Sequence, residues 1–245
     1  MTQESQSLVE HITALRSALL RCLAAVAIAF HLGMALAWRC TWWLMDWVCP
    51  PEVHRLYYFK MADAFVLQLK CALLLSLVLA CPYILWQVWA FVAPGLHARE
   101  RRSARAWIGC AALLFFLGVT LCIGAIMPLV VRFFFDFQSE RLTALPNLSD
   151  VMGMTLWLSL AFGAMFQFPV VLLMLVRFGV VRVATLVHAR PYVIVGIFIL
   201  AAILTPPDVA SQLALAVPSC ILFEGALLIA RRLERNSPPS HGNQL

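Results

Sequence analysis

Glu100 is a lone carboxylate among guanidinium groups. Arg99, Arg101 and Arg102 surround it, just after a Pro94-Gly95 turn that closes the aromatic run Trp86-Gln87-Val88-Trp89-Ala90-Phe91. A carboxylate accepts two parallel N–H bonds from an arginine, so a helix end, a turn and one acid suit guanidinium recognition. They equally suit an ordinary basic loop whose acid neutralises its neighbours, and spacing alone favours the loop. Other chemistry is hard to build from this chain. GxSxG, HExxH and paired aspartates within an apolar run are all missing from the sequence. Its histidines, His11, His31, His54, His97, His188 and His241, stand one by one, with no metal-ligand spacing. No enzyme, metal or cofactor is expected.

The elements that must position these residues follow from composition. Of 245 residues 63% are hydrophobic and 12% charged, against about 45–50% and about 25% in soluble proteins. The excess lies in charge-poor runs at 22–38, 71–89, 106–131, 151–176, 192–204 and from 209 to about 223, the last continuing as helix to about 230. None alternates as a barrel strand does, so each reads as a transmembrane helix. The expectation is an all-α integral membrane protein: six spans within residues 1–235 and a disordered polar tail at 236–245. The first run reads as a retained helix, because polar, helix-favouring HITALRSALL precedes it and no small-residue cleavage site follows by Trp38.

Placing the N-terminus inside puts 12 of the 18 Lys and Arg residues on one side and 6 on the other. By the positive-inside rule both termini are cytoplasmic. Topology thus accounts for the net charge of +6, and no basic stripe with interleaved aromatics points to nucleic acid. Trp38, Trp42, Trp43 and Trp47 read as an interfacial belt beyond the outer end of helix one. Cys40 and Cys49 fall in the outer loop that follows; a disulfide between them is the less favoured reading.

Helices three and four are long for a bilayer, whereas five and six read as short, and Thr205-Pro206-Pro207-Asp208 forces an extended turn between them. Pro82, Pro128, Pro169 and Pro218 are expected to kink four runs into a curved bundle. Polar groups at depth are few: His31, Gln167, Gln212 and Glu224. His31 reads as a satisfied core residue, and Glu224 as snorkelling to the interface or meeting an arginine.

Four blocks decide among these readings. PYILWQVWAFVAPGLHARERR resembles the first cytoplasmic loop of TatC, the receptor subunit of the twin-arginine protein translocase. HITALRSALLR, FQFPVVLLMLVRFGVV and RPYVIVGIFILAAILTPPDVASQLALAVPSCILFE are similar to further TatC blocks, in the same order. The resemblance implies a receptor that docks folded precursors by a signal peptide with paired arginines. It also implies TatB-type and TatA-type single-span partners, homo-oligomers within the receptor complex, and export driven by the proton-motive force. The signal site would comprise Arg16, Phe91, Pro94, Glu100, Arg101 and Arg102, with Glu100 as counter-charge. Where the family commonly reads Glu-Leu-Arg, this chain has Ala14-Leu15-Arg16. Glu10, four residues earlier and on the same helical face, is the expected substitute. Gln167 stands where the family often carries Glu. Thr205, Gln212 and the neighbouring Asp208 and Glu224 form the expected polar set around helices five and six, where a TatB-type partner packs. A small-solute transporter or channel is the alternative, but it would want intramembrane charge or a symmetric pair of broken helices.

Overall fold

The computed structural model describes residues 3–49, 60–92, 104–136, 147–177, 179–205 and 207–236, with backbone alone for 3–11, 91–92, 104–106, 233 and 235–236. Among these residues every regular element is helical. In chain order they are α1 (Gln3–Val48), α2 (Asp63–Val92), α3 (Ala104–Leu121), a π-helical turn (Cys122–Ile126), α4 (Met127–Phe135), α5 (Leu148–Met165), α6 (Phe168–Arg177), α7 (Val183–His188), α8 (Arg190–Leu204) and α9 (Val209–Asn236). Five helical stretches are long and apolar enough to cross a membrane: 12–48, 63–90, 107–135, 148–177 and 209–232. The apolar helix α8 has only 15 residues, about 22 Å at 1.5 Å per residue, short of a hydrocarbon core of about 30 Å.

Several expected boundaries move. The first helix runs over 46 residues because nothing breaks it between HITALRSALL and Pro50-Pro51. The tryptophans therefore lie on α1 rather than beyond it. At i, i+4 spacing they pair on the helix surface: Trp38 with Trp42 edge-to-face at 5.5 Å, Trp43 with Trp47 stacked at 6.4 Å. Cys40 and Cys49 then share one stretch, nine residues or roughly 13 Å apart, and both are free thiols. Helix six is not short. α9 continues for 28 residues through Glu224, whose charge is met by Arg190. His31 is exposed rather than in a core, with Nδ1 3.0 Å from the Ala27 carbonyl of its own helix.

The prolines divide into two kinds. Pro82 and Pro218 sit inside α2 and α9, which continue past them. Pro128 instead opens α4 directly after the π-helical turn, and Pro169 opens α6 after a two-residue break at Phe166-Gln167. A proline in the first helical turn loses no bond, since that N–H has no intrahelical acceptor anyway.

The chain forms two compact units, Met1–Gly163 and Ala164–Leu245. In the first, α1 packs along α2, and a core of Ala37, Leu44, Leu67, Cys71, Ala72, Leu74, Met152 and Leu156 joins α1, α2 and α5. Lipid tails are as apolar as these side chains, so close packing and polar contacts rather than water exclusion hold the helices. Gly33 permits the closest approach: a Cβ there would stand 2.5 Å from the Ala72 carbonyl oxygen. Across the same seam the Cys71 thiol donates to the Ala37 carbonyl at 3.7 Å, and Cys40 packs against the same core. On the other side Ser159 of α5 bonds the Cys122 sulfur of the π-helical turn at 3.7 Å.

In the second unit α9 packs against α6, α7 and α8, with the fully buried Phe223 6.4 Å from Phe168 between ring centroids. Gly179, at φ +69°, ends α6 in the left-handed conformation that favours glycine. The N–H groups of Gly179 and Val180 return to the Val176 and Leu175 carbonyls at 3.0 Å, closing off the helix end.

Candidate functional site

The turn between α8 and α9 gathers three of the expected polar residues. Thr205 is buried, and its hydroxyl donates back to the Ala201 carbonyl at 2.9 Å, satisfying the end of α8. Asp208 caps α9. Its Oδ1 accepts the Ser211 backbone N–H at 2.7 Å, and its Oδ2 accepts the Ser211 hydroxyl. A carboxylate at this position answers both the open N–H groups and the positive end of the helix dipole. One turn on, the Gln212 side-chain amide reaches from α9 to α8 and donates to the Phe198 carbonyl at 3.3 Å. Its Oε1 has no donor among the described residues. Such an acceptor at membrane depth suits a hydrogen bond from a neighbouring helix.

Glu224 is not part of that group. It lies 3.0 Å from Arg190 at the other end of the α8–α9 hairpin. Arg190 precedes Thr205 by 15 residues and Glu224 follows Asp208 by 16, so a hairpin closed at the Pro-Pro turn brings the two charges level. The pairing was legible from that count, although only the separate charges were singled out. Gln167 occupies the break between α5 and α6, where its carbonyl accepts the Val171 N–H at 3.1 Å and its N–H bonds Ala164 at 3.0 Å.

For the expected signal site the structure gives fewer positions. Arg16 is exposed on α1. Glu10 lies on the same continuous helix, so it and Ala14 share a face at i, i+4. Phe91 falls in the last turn of α2. Pro94, Glu100, Arg101 and Arg102, like the tail from 237 onward, lie outside the described residues.

The first unit also holds cavities that the sequence did not announce. One, of about 440 Å³, lies between the end of α1 and the π-helical turn, lined by Asp46, Trp47, Gly124, Ala125, Pro128 and Arg132 among others. Another, of about 360 Å³, runs between α2 and α5 with Lys70 and Trp157 in its lining. Beside the first, burial and then the Asp46 carboxylate push the Cys49 thiol above its ordinary value. No cluster of three or more His, Cys, Asp or Glu side chains forms among the described residues.

Comparison with known proteins agrees with this architecture. The family model described as Sec-independent protein translocase protein (TatC) matches residues 10–218. The chain is 35% identical over 243 residues to the Sec-independent protein translocase protein TatC of Azotobacter chroococcum mcd 1, covering 98% of this chain and 94% of that one. It is 32% identical over 235 residues to that of Escherichia coli (strain K12), covering 94% and 90%. A crystal structure of the twin arginine translocase receptor TatC superimposes with a TM-score of 0.81 at 27% identity, covering 92% of this chain and all of that one. A second, in DDM, gives 0.82 at 27% identity, covering 90% and 99%. The family model and these relatives cover most of the chain, and the chain belongs to the TatC family of Sec-independent protein translocase proteins.

Proposed function

We propose that this protein is the receptor subunit of a twin-arginine translocase, binding the paired-arginine signal peptides of folded precursors at its cytoplasmic face. The observation that carries this reading is the likeness to a twin arginine translocase receptor over 92% of the chain, with a TM-score of 0.81. Six spans are proposed, with α8 as the sixth, short one and both termini in the cytoplasm of a bacterial inner membrane; the 12-to-6 distribution of basic residues supports this orientation. Residues 1–235 form one functional membrane region and 236–245 a disordered tail. The protein is a transport subunit that carries out no catalysis.

Glu100 is the counter-charge for a signal arginine, in a site made with Arg16, Phe91, Pro94, Arg101 and Arg102. A bidentate carboxylate–guanidinium pair discriminates arginine from lysine, which offers a point charge without the fork. Glu10 replaces the acid that Ala14 lacks, supported by the unbroken helix through both positions. A TatB-type partner, joined in the assembly by TatA-type subunits, docks at the α8–α9 hairpin, where Thr205, Asp208 and Gln212 cluster and the Gln212 Oε1 is open to a donor. Glu224, held by Arg190, fixes the far end of that hairpin, and Gln167 contributes uncharged polarity to the surface facing the signal. The receptor acts as an oligomer with these partners, and the proton-motive force drives export.

The test is binding of a twin-arginine signal peptide to the purified protein, with a Lys-Lys peptide as control. Binding is expected for the parent and lost in Glu100→Gln. Equal binding of both peptides by both proteins would refute carboxylate recognition. Binding by neither would reopen the small-solute transporter. Glu10→Gln is expected to impair transport as well, and unimpaired transport would remove Glu10 from the site.

A further inference from the structure

The cavity at the end of α1 carries two opposite charges that do not meet. Asp46 and Arg132 both line it, both are exposed, and neither forms an ion pair with the other or with another described residue. Each stands near the end of its apolar stretch, Asp46 within 12–48 and Arg132 within 107–135. The cavity mouth therefore lies at the level of the lipid head groups, where Trp47 also favours the interface. Its floor is made low by the π-helical turn, a geometry frequent at functional sites, and by the small residues Gly124 and Ala125.

We propose that this cavity binds one phospholipid whose zwitterionic head group carries a primary ammonium, of the phosphatidylethanolamine class. The ammonium donates to the Asp46 carboxylate and the phosphate accepts from the Arg132 guanidinium, while the start of an acyl chain covers Gly124, Ala125 and Pro128. Charge complementarity selects this class. A purely anionic lipid satisfies Arg132 but confronts Asp46, and a choline head group has no N–H to offer the carboxylate. A volume of about 440 Å³ holds a head group and part of a chain, but not a helix about 10–12 Å across. The site does not depend on signal recognition, nor on which leaflet this end of the unit faces.

The test is native mass spectrometry of the full-length protein, purified in detergent and equilibrated with equal amounts of phosphatidylethanolamine, phosphatidylglycerol and phosphatidylcholine. The parent is expected to retain one phosphatidylethanolamine over the other two by roughly tenfold, the scale of one charge-assisted hydrogen bond. Asp46→Asn should abolish the preference over phosphatidylcholine, and Arg132→Gln should lower retention of all three. Gly124→Leu leaves both charges in place and fills the floor, where a Cβ meets nothing within 4 Å; it should abolish retention with helical circular dichroism unchanged. Equal retention of the three lipids by the parent, or a preference that survives Asp46→Asn, would overturn the proposal. So would efficient crosslinking of Gly124→Cys in membranes to a single-span protein instead of a photoreactive lipid.

Discussion

Replacing Gly33 by alanine should loosen the α1–α2 seam, although alanine is the better helix former. The new methyl would sit 2.5 Å from the Ala72 carbonyl oxygen, 3.3 Å from its carbon and 3.4 Å from the Ser76 nitrogen. These are backbone atoms of a helix and cannot rotate away. An ordinary carbon–oxygen contact needs about 3.3 Å or more, so the helices must part by roughly 0.8 Å at this point. A gap of about 0.5–1 Å forfeits a quarter to a half of each dispersion well, and the surrounding strain of overpacking costs about 1–3 kcal/mol. Against that, alanine gains about 1 kcal/mol of helix propensity. The net expectation is a loss of about 0–2 kcal/mol, read as a lower thermal midpoint of the detergent-purified protein and faster alkylation of Cys71, which is 1% exposed in this seam. Gly109→Ala is the matched control: a Cβ there meets nothing within 4 Å, so it should be neutral or stabilising. If Gly33→Ala and Gly109→Ala shift the midpoint equally and Cys71 stays protected, the close approach of the helices is refuted.

Asp208→Ala removes the α9 cap and should cost about 0.5–2 kcal/mol, whereas Asp208→Asn should retain most of the stability; thermal unfolding of the two distinguishes capping from a need for charge. A double-mutant cycle over Arg190→Gln and Glu224→Gln should give a coupling of about 0.5–1 kcal/mol, small because the two side chains are 33% and 42% exposed. Zero coupling would mean the hairpin ends are not joined by this pair.

Much of the architecture was legible because a bilayer leaves a chain few choices. An apolar, charge-poor run of about 20 residues must satisfy its own backbone, and so becomes a helix whatever its neighbours do. The positions of Pro206-Pro207 and of Asp208 marked the α8–α9 turn and its cap for equally local reasons. The quoted blocks carried the family, since they match in order along most of the chain.

What sequence reading missed is non-local. The apolar run of α9 was read as ending at about 223 because Glu224, taken alone, interrupts it, whereas closing the α8–α9 hairpin brings Arg190 beside that charge. The outer loop that was to hold Cys40 became helix, since tryptophans that suit an interface suit a helix surface as well, and Cys40 packs against the core shared by α1 and α2. Gly33 looked like any helical glycine until α2 was packed against it. The sequence by itself determined which segments are apolar helices and the family they belong to, because hydropathy and turn chemistry act over a few residues. The tertiary structure alone decided which helix faces meet, how closely α2 approaches Gly33 and where Asp46 and Arg132 face a shared cavity, because those depend on residues tens of positions apart arriving at one depth.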